Sequence, residues 1–280
     1  MTLSERNIFF KIGIFFCAIV ILLIFVASFL TMPVYSAGYS MIEENTRRPD
    51  YVFQHITSWF TVNNYYSVHA ALSLAALFSL AGMILILIYF ERTPTPEILY
   101  ISLFTISFSF EAFRLFVPLQ LIFNFPSVYI GIPSRILFFA RFFGLFSLFT
   151  AGLCAARMNV QKSRNAVFII FAAAFAITLG VPIDTHFWDT GFNLIKGYSS
   201  MFRMIELAVF ITTILSFLIA AKIRGSKEYI HVSAGVLFAL TGRSILLGSD
   251  NLIGVIPGIL LLSFGTWYLC SKVHKIYLWL

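Results

Sequence analysis

The chain alternates long apolar runs with short polar breaks, at the spacing a lipid bilayer imposes. Eight runs read as helices: 12–30, 68–90, 98–117, 136–156, 166–181, 201–221, 230–247 and 253–270. About 20 apolar residues cross a ~30 Å hydrocarbon core, so each run suits one crossing. The breaks carry the residues that stop helices. Pro94 and Pro96 end the second run, Pro118 the third, and Pro126, Gly131 and Pro133 mark the link to the fourth. Proline has no amide proton to give the preceding turn and crowds it sterically. Pro257, beside Gly258, predicts a kink in the eighth helix.

The longest loop runs from 33 to about 66. Within it Phe53, Ile56, Trp59 and Phe60 fall on one helical face, with His55 and Asn63 off it, which predicts a short helix lying in the membrane interface. A second polar loop, PIDTHFWDTGFNLIKGYSS, joins the fifth and sixth helices.

Composition turns the pattern into a fold class. Of 280 residues, 60% are hydrophobic and 11% charged, with mean hydropathy +0.91. A soluble domain is nearer half apolar and a quarter charged. The expectation is an all-α, polytopic membrane bundle forming a single integral membrane domain over 1–280, with no soluble domain. The first run is longer than the 7–15-residue core of a signal peptide, so an uncleaved first helix is expected. Cleavage near Ser36-Ala37-Gly38 is the alternative, and would leave a seven-helix module that resembles seven-helix sensor modules in general shape. Cys17, Cys154 and Cys270 all lie in apolar runs, where they read as free thiols rather than a disulfide framework.

Charge sets an expected orientation. With the N-terminus inside, the inner segments hold eleven Lys and Arg and the outer loops four. Basic residues favour the cytoplasmic side, so both termini are expected there. The net charge of +7 is then topological, and nucleic acid is excluded as a partner. The lipid bilayer is the expected environment, in a bacterial inner membrane. A cytoplasmic or membrane protein partner would be needed to relay any signal, because no effector domain is visible.

Four helices carry charge inside their apolar runs. These are Glu111 and Arg114 in the third, Arg141 in the fourth, Arg203 and Glu206 in the sixth, and Arg243 in the seventh. Counting along each helix places all six in the outer half of the membrane, with Glu111 and Arg243 ~20 Å from the inner face. Glu111 is expected to serve Arg141 or Arg243, and Glu206 to serve Arg114. Two acids against four bases leave a surplus near +2. Arginine presents a planar fork that fits carboxylate and phosphate. One reading is an outward-opening pocket for a small anionic or zwitterionic ligand or a lipid headgroup. A second is an ion-pair network that fixes helix packing and binds nothing. A third lets Arg203 and Arg114 reach up to the interface. Ser107 and Thr213 extend polar stripes inward from Glu111 and Glu206, as packing residues or as ligand contacts.

Asp184, His186 and Asp189 are metal-capable types in one loop, but their spacing matches no metal motif, and a wet interfacial loop with Trp188 at the membrane surface is the favoured reading. The chain has no glycine-rich phosphate loop, no serine nucleophile elbow and no CxxC pair. It lacks a mid-helix lysine for a retinal Schiff base and the histidine sets of zinc-dependent seven-helix hydrolases. No cofactor is expected. Three functions remain: a sensor-like or ligand-binding membrane module, a small transporter and a lipid-modifying enzyme. The transporter draws on the opposed charge-bearing pairs, helices three and four against six and seven. The enzyme would use Glu111 or Glu206 as acid or base and ranks last, because no nucleophile is evident.

Overall fold

The structure is a computed structural model that describes residues 3–44, 65–91, 93, 95–126, 128–156, 163–189, 191–249 and 251–278. It is almost entirely helical. Its elements are α1 (Leu3–Glu44), α2 (Tyr65–Phe90), α3 (Pro96–Ser107), a 3-10 segment (Phe108–Leu115), α4 (Phe116–Phe123), α5 (Val128–Ala155), α6 (Ser163–Gly180), α7 (Ser199–Arg224), α8 (Glu228–Gly248) and α9 (Leu252–Leu278). A hairpin of β1 (Ile183–Trp188) and β2 (Leu194–Lys196) joins α6 to α7. By length and composition seven helices can cross a membrane, the third being the continuous span Pro96–Gln120; α6 is apolar but shorter. This points to an integral membrane protein.

Several boundaries differ from those expected. The helix predicted over 12–30 starts at Leu3 and continues to Glu44 through Pro33 and Gly38, the last helix runs on to Leu278, and Pro118, expected to end the third helix, lies inside α4. The fourth predicted helix starts at Val128 rather than 136 and carries Pro133 in its second turn. The proposed interfacial helix with Phe53, His55, Ile56, Trp59, Phe60 and Asn63 lies outside the described residues.

Packing closes a circuit from α2 through α3, α5, α7, α8 and α9 back to α2, with α1 against α2 and α6 against α5. The Pro96–Gln120 span is the most enclosed of the seven. Large apolar side chains such as Phe15, Phe25, Ile88 and Met204 point outward, as a lipid solvent allows. Close approach depends on glycine. A Cβ at Gly242 would strike the backbone of Leu262, and one at Gly265 the backbone of Ala239, so α8 and α9 pack on backbone rather than side chain. Gly144 admits the Ser107 side chain, bringing α5 against α3.

Candidate functional site

The middle of the third span leaves the α-helical path where its charges begin. The stretch FSFEAFRL winds as a 3-10 segment eight residues long. Runs beyond three or four residues are uncommon, and a mid-helix stretch often marks function. With three residues per turn, i and i+3 eclipse. Phe110, Phe113 and Phe116 therefore stack in one column, at centroid distances of 5.9 and 5.7 Å. Phe108, Glu111 and Arg114 form the next column, and Ser109, Ala112 and Leu115 the third. Ser109 anchors its column, its Oγ lying 2.9 Å from Ser79 Oγ and 3.2 Å from Cys17 Sγ.

The charged column meets α5. Arg114 Nε lies 2.8 Å from Glu111 Oε2. Arg141 takes Glu111 as a fork, Nε to Oε1 at 2.8 Å and Nη2 to Oε2 at 2.7 Å. Both oxygens of Glu111 are thus taken, and the carboxylate is 2% exposed. Such a carboxylate compensates two buried guanidinium groups that would otherwise be prohibitive at this depth. Arg114 also donates to the Leu247 carbonyl at 3.3 Å, and Arg243 to the Arg141 carbonyl at 3.3 Å. Of the two partners expected for Glu111, Arg141 is the one that pairs with it. The expected Glu206–Arg114 pair does not form, because Arg114 is turned along its own column onto Glu111. Arg114 is buried in that pair, so it does not reach the interface, whereas Arg203 is exposed.

The predicted polar loop is the β-hairpin, and it covers this layer. Asp189 accepts from the Asn193 backbone amide at 2.7 Å and from its Nδ2 at 3.0 Å, which fixes the turn. Asn193 Oδ1 then receives Arg141 Nη2 at 2.8 Å, tying hairpin to helix. The strand ends on Lys196, whose ammonium sits 4.9 Å from the centre of the Phe138 ring. Sequence reasoning counted Lys196 only as a loop charge. Burial first, and the charge of Arg141 next, lower its pKa below the ordinary lysine value.

Lys196, Arg141, Arg203, Glu206 and Arg243 line one cavity of about 490 Å³. That is four cations against one acid. Arg141 is answered by Glu111. Among the described residues no acid lies within ion-pair distance of Lys196, Arg203 or Arg243. A second cavity of about 280 Å³, between α2, α3 and α9, is lined chiefly by apolar groups and His274 and holds no such surplus. Ser107 and Thr213, the expected polar stripes, donate to their own helices, to the Phe104 carbonyl at 2.7 Å and the Val209 carbonyl at 2.6 Å. Asp189 is engaged by Asn193, the side chain of His186 lies outside the described residues, and no metal-capable cluster of three occurs among the described residues.

A second buried charge group, missed in the sequence, lies at the other end of the bundle. Glu97 opens α3 just after Pro96 and is 1% exposed. Tyr277 Oη lies 2.7 and 2.9 Å from its two oxygens, and Arg224 Nη2 lies 3.5 Å from Oε1. Arg224 also stands 5.2 Å from the centre of the Tyr229 ring. Glu97 was overlooked because it sits beside a proline in a hinge, where charge is ordinary.

No family model matches the chain. An uncharacterized protein of Treponema pallidum (strain Nichols) is 32% identical over 96 residues, which is 34% of this chain and 28% of that protein. The chain therefore matches less than a third of the length of that relative.

Proposed function

We propose that this chain is a sensor-like membrane module that binds a small anionic or zwitterionic ligand in a pocket at its hairpin end, the end expected to face outward. The observation that carries this reading is the company of Lys196, Arg203 and Arg243 around one cavity that holds a single acid, Glu206, with none of the three in an ion pair among the described residues. An uncompensated buried cation costs stability, so a fold that keeps one is reserving it for a partner that arrives later. Glu206 at the same cavity offers a place for the ammonium of a zwitterion. A packing network would instead pair its charges, as Glu111 does with Arg114 and Arg141. Glu111 itself, with both oxygens taken, is poorly placed as an acid or base.

The test is thermal denaturation of the purified full chain in detergent, titrated with inorganic phosphate against chloride at equal ionic strength. Saturation at 100 times Kd is expected to stabilise by about 2.7 kcal/mol. The shift is expected to vanish in Arg243→Gln while that variant stays folded. No shift in the wild type, or an equal shift in the variant, overturns the reading. The transporter alternative rests on the pocket lying among helices of both directions; accumulation of a bound solute in proteoliposomes containing this chain alone would select it.

A further inference from the structure

The pocket has a side as well as an end. Its α7 wall is Arg203, Glu206, Leu207 and Phe210, and its α8 wall runs from Arg243 through Ser244 and Leu247 to Gly248. Leu207 is 60% exposed and belongs to a continuous outward stripe with Met204, Ile211 and Leu215, which in a membrane faces lipid. On α8 the matching outward stripe ends in Ser244 and Gly248, both exposed. A Cβ added at Gly248 would meet nothing within 4 Å. Leu207 on α7 and Ser244 on α8 are thus exposed where they line the cavity, so it opens on its α7–α8 side as well as at its end.

Lys196 and Arg203 sit at the hairpin end with Leu247 and Gly248, while Arg243 on α8 and Leu207 and Phe210 on α7 lie deeper, so cations and apolar side chains line the same opening. A free ion would use the cations and leave this apolar edge idle. A phosphate carried on an acyl chain would use both, with the headgroup among the cations and the chain lying along α7 and α8.

We propose that the ligand of this pocket is an anionic phospholipid that enters sideways between α7 and α8. This rests on the anion-binding reading above and adds the source of the anion. The surplus of positive charge selects an anionic headgroup over a neutral one. Ser244 and Gly248 set the width of the entrance.

The experiment measures binding to the detergent-purified full chain of phosphatidylglycerol, phosphatidylcholine and inorganic phosphate, in the wild type, Gly248→Trp and Arg243→Gln. In the wild type phosphatidylglycerol is expected to bind at least tenfold tighter than phosphatidylcholine. Gly248→Trp is expected to lose at least tenfold for phosphatidylglycerol, because indole fills the opening. Arg243→Gln is expected to lose both phosphatidylglycerol and phosphate. Phosphate binding as tight as that of phosphatidylglycerol, or a Gly248→Trp variant that keeps its lipid, overturns sideways entry and leaves the anion site standing. Absence of both ligands from the wild type overturns the anion site as well. Should Gly248→Trp fold poorly, a photoactivatable phosphatidylglycerol on the wild type decides: label confined to 203–210 and 243–248 supports the proposal, and label elsewhere overturns it.

Discussion

The span Pro96–Gln120 carries two buried glutamates, one at its start and one past its middle, and the two are treated differently. Glu97 is met by one arginine and a tyrosine hydroxyl. Its charge is balanced locally, and its bonds join α3 to the last turn of α9 and to α7. Glu111 is met by two arginines, and three further cations stand close by around a cavity. Fourteen residues separate them, ~21 Å at about 1.5 Å per residue. The first arrangement spends its charge on holding helices together. The second keeps positive charge in excess of what packing needs. Stability alone favours the first pattern, so the second points to a role outside stability.

The largest expected effect falls on the glutamate shared by two arginines. Glu111→Gln should lose about 3–5 kcal/mol, because two guanidinium groups are left buried without a counter-charge. Glu97→Gln should lose less, since Arg224 is partly exposed and the amide still accepts from Tyr277. Chemical denaturation of both variants in mixed micelles checks the order, and equal losses would dissolve the contrast between the two ends.

Arg243→Gln sharpens it from the other side. Removing a cation that has no acid partner should leave the protein as stable as the wild type or more so, while anion affinity drops at least tenfold, about 1.4 kcal/mol. Arg224→Gln at the opposite end should do the reverse, lowering stability and leaving anion binding unchanged. A paired melting and binding measurement on both variants separates these outcomes.

Tyr277→Phe should cost about 1.5–3 kcal/mol, the net worth of a hydroxyl bonded to a carboxylate, with no change in anion binding. A shift in melting temperature reads it. The smallest effect concerns pH. Burial and Arg141 lower the pKa of Lys196, so its fold-state charge is lost at a pH below the ordinary lysine range. The neutral form is the one the fold favours, so stability gains slightly as pH rises through that point, whereas anion affinity falls. Lys196→Arg should flatten the affinity profile through the same range, because arginine stays charged. A wild-type profile as flat as that of the variant would remove Lys196 from the site.

Much of this was legible along the chain. The apolar runs located the helices, since about 20 apolar residues are what a bilayer requires. Charges inside those runs stood out for the same reason, and Glu111, Arg114, Arg141 and Arg243 are indeed assembled at one level. The partners were not legible, because pairing depends on how each helix is rotated about its axis. Counting along α-helices assumed one winding throughout, and the 3-10 segment broke that assumption at the residues that mattered. A signal was present: phenylalanine at 110, 113 and 116, with Glu111 and Arg114 in step, is a recurrence of three rather than 3.6.

The sequence by itself determined that lipid is the solvent, where the helices run and that positive charge is in surplus within one layer. These are properties of composition and spacing, which hydropathy reads one residue at a time. The tertiary structure decided which charges are spent and which are free. It turned Arg114 onto Glu111, folded a polar loop into a hairpin that delivers Lys196, left Glu206 unpaired with Arg114, and brought Tyr277 to Glu97 across 180 residues of chain. Ion pairs form over a few ångströms, and only the packed backbones, close at Gly242 and Gly265, bring groups within that range.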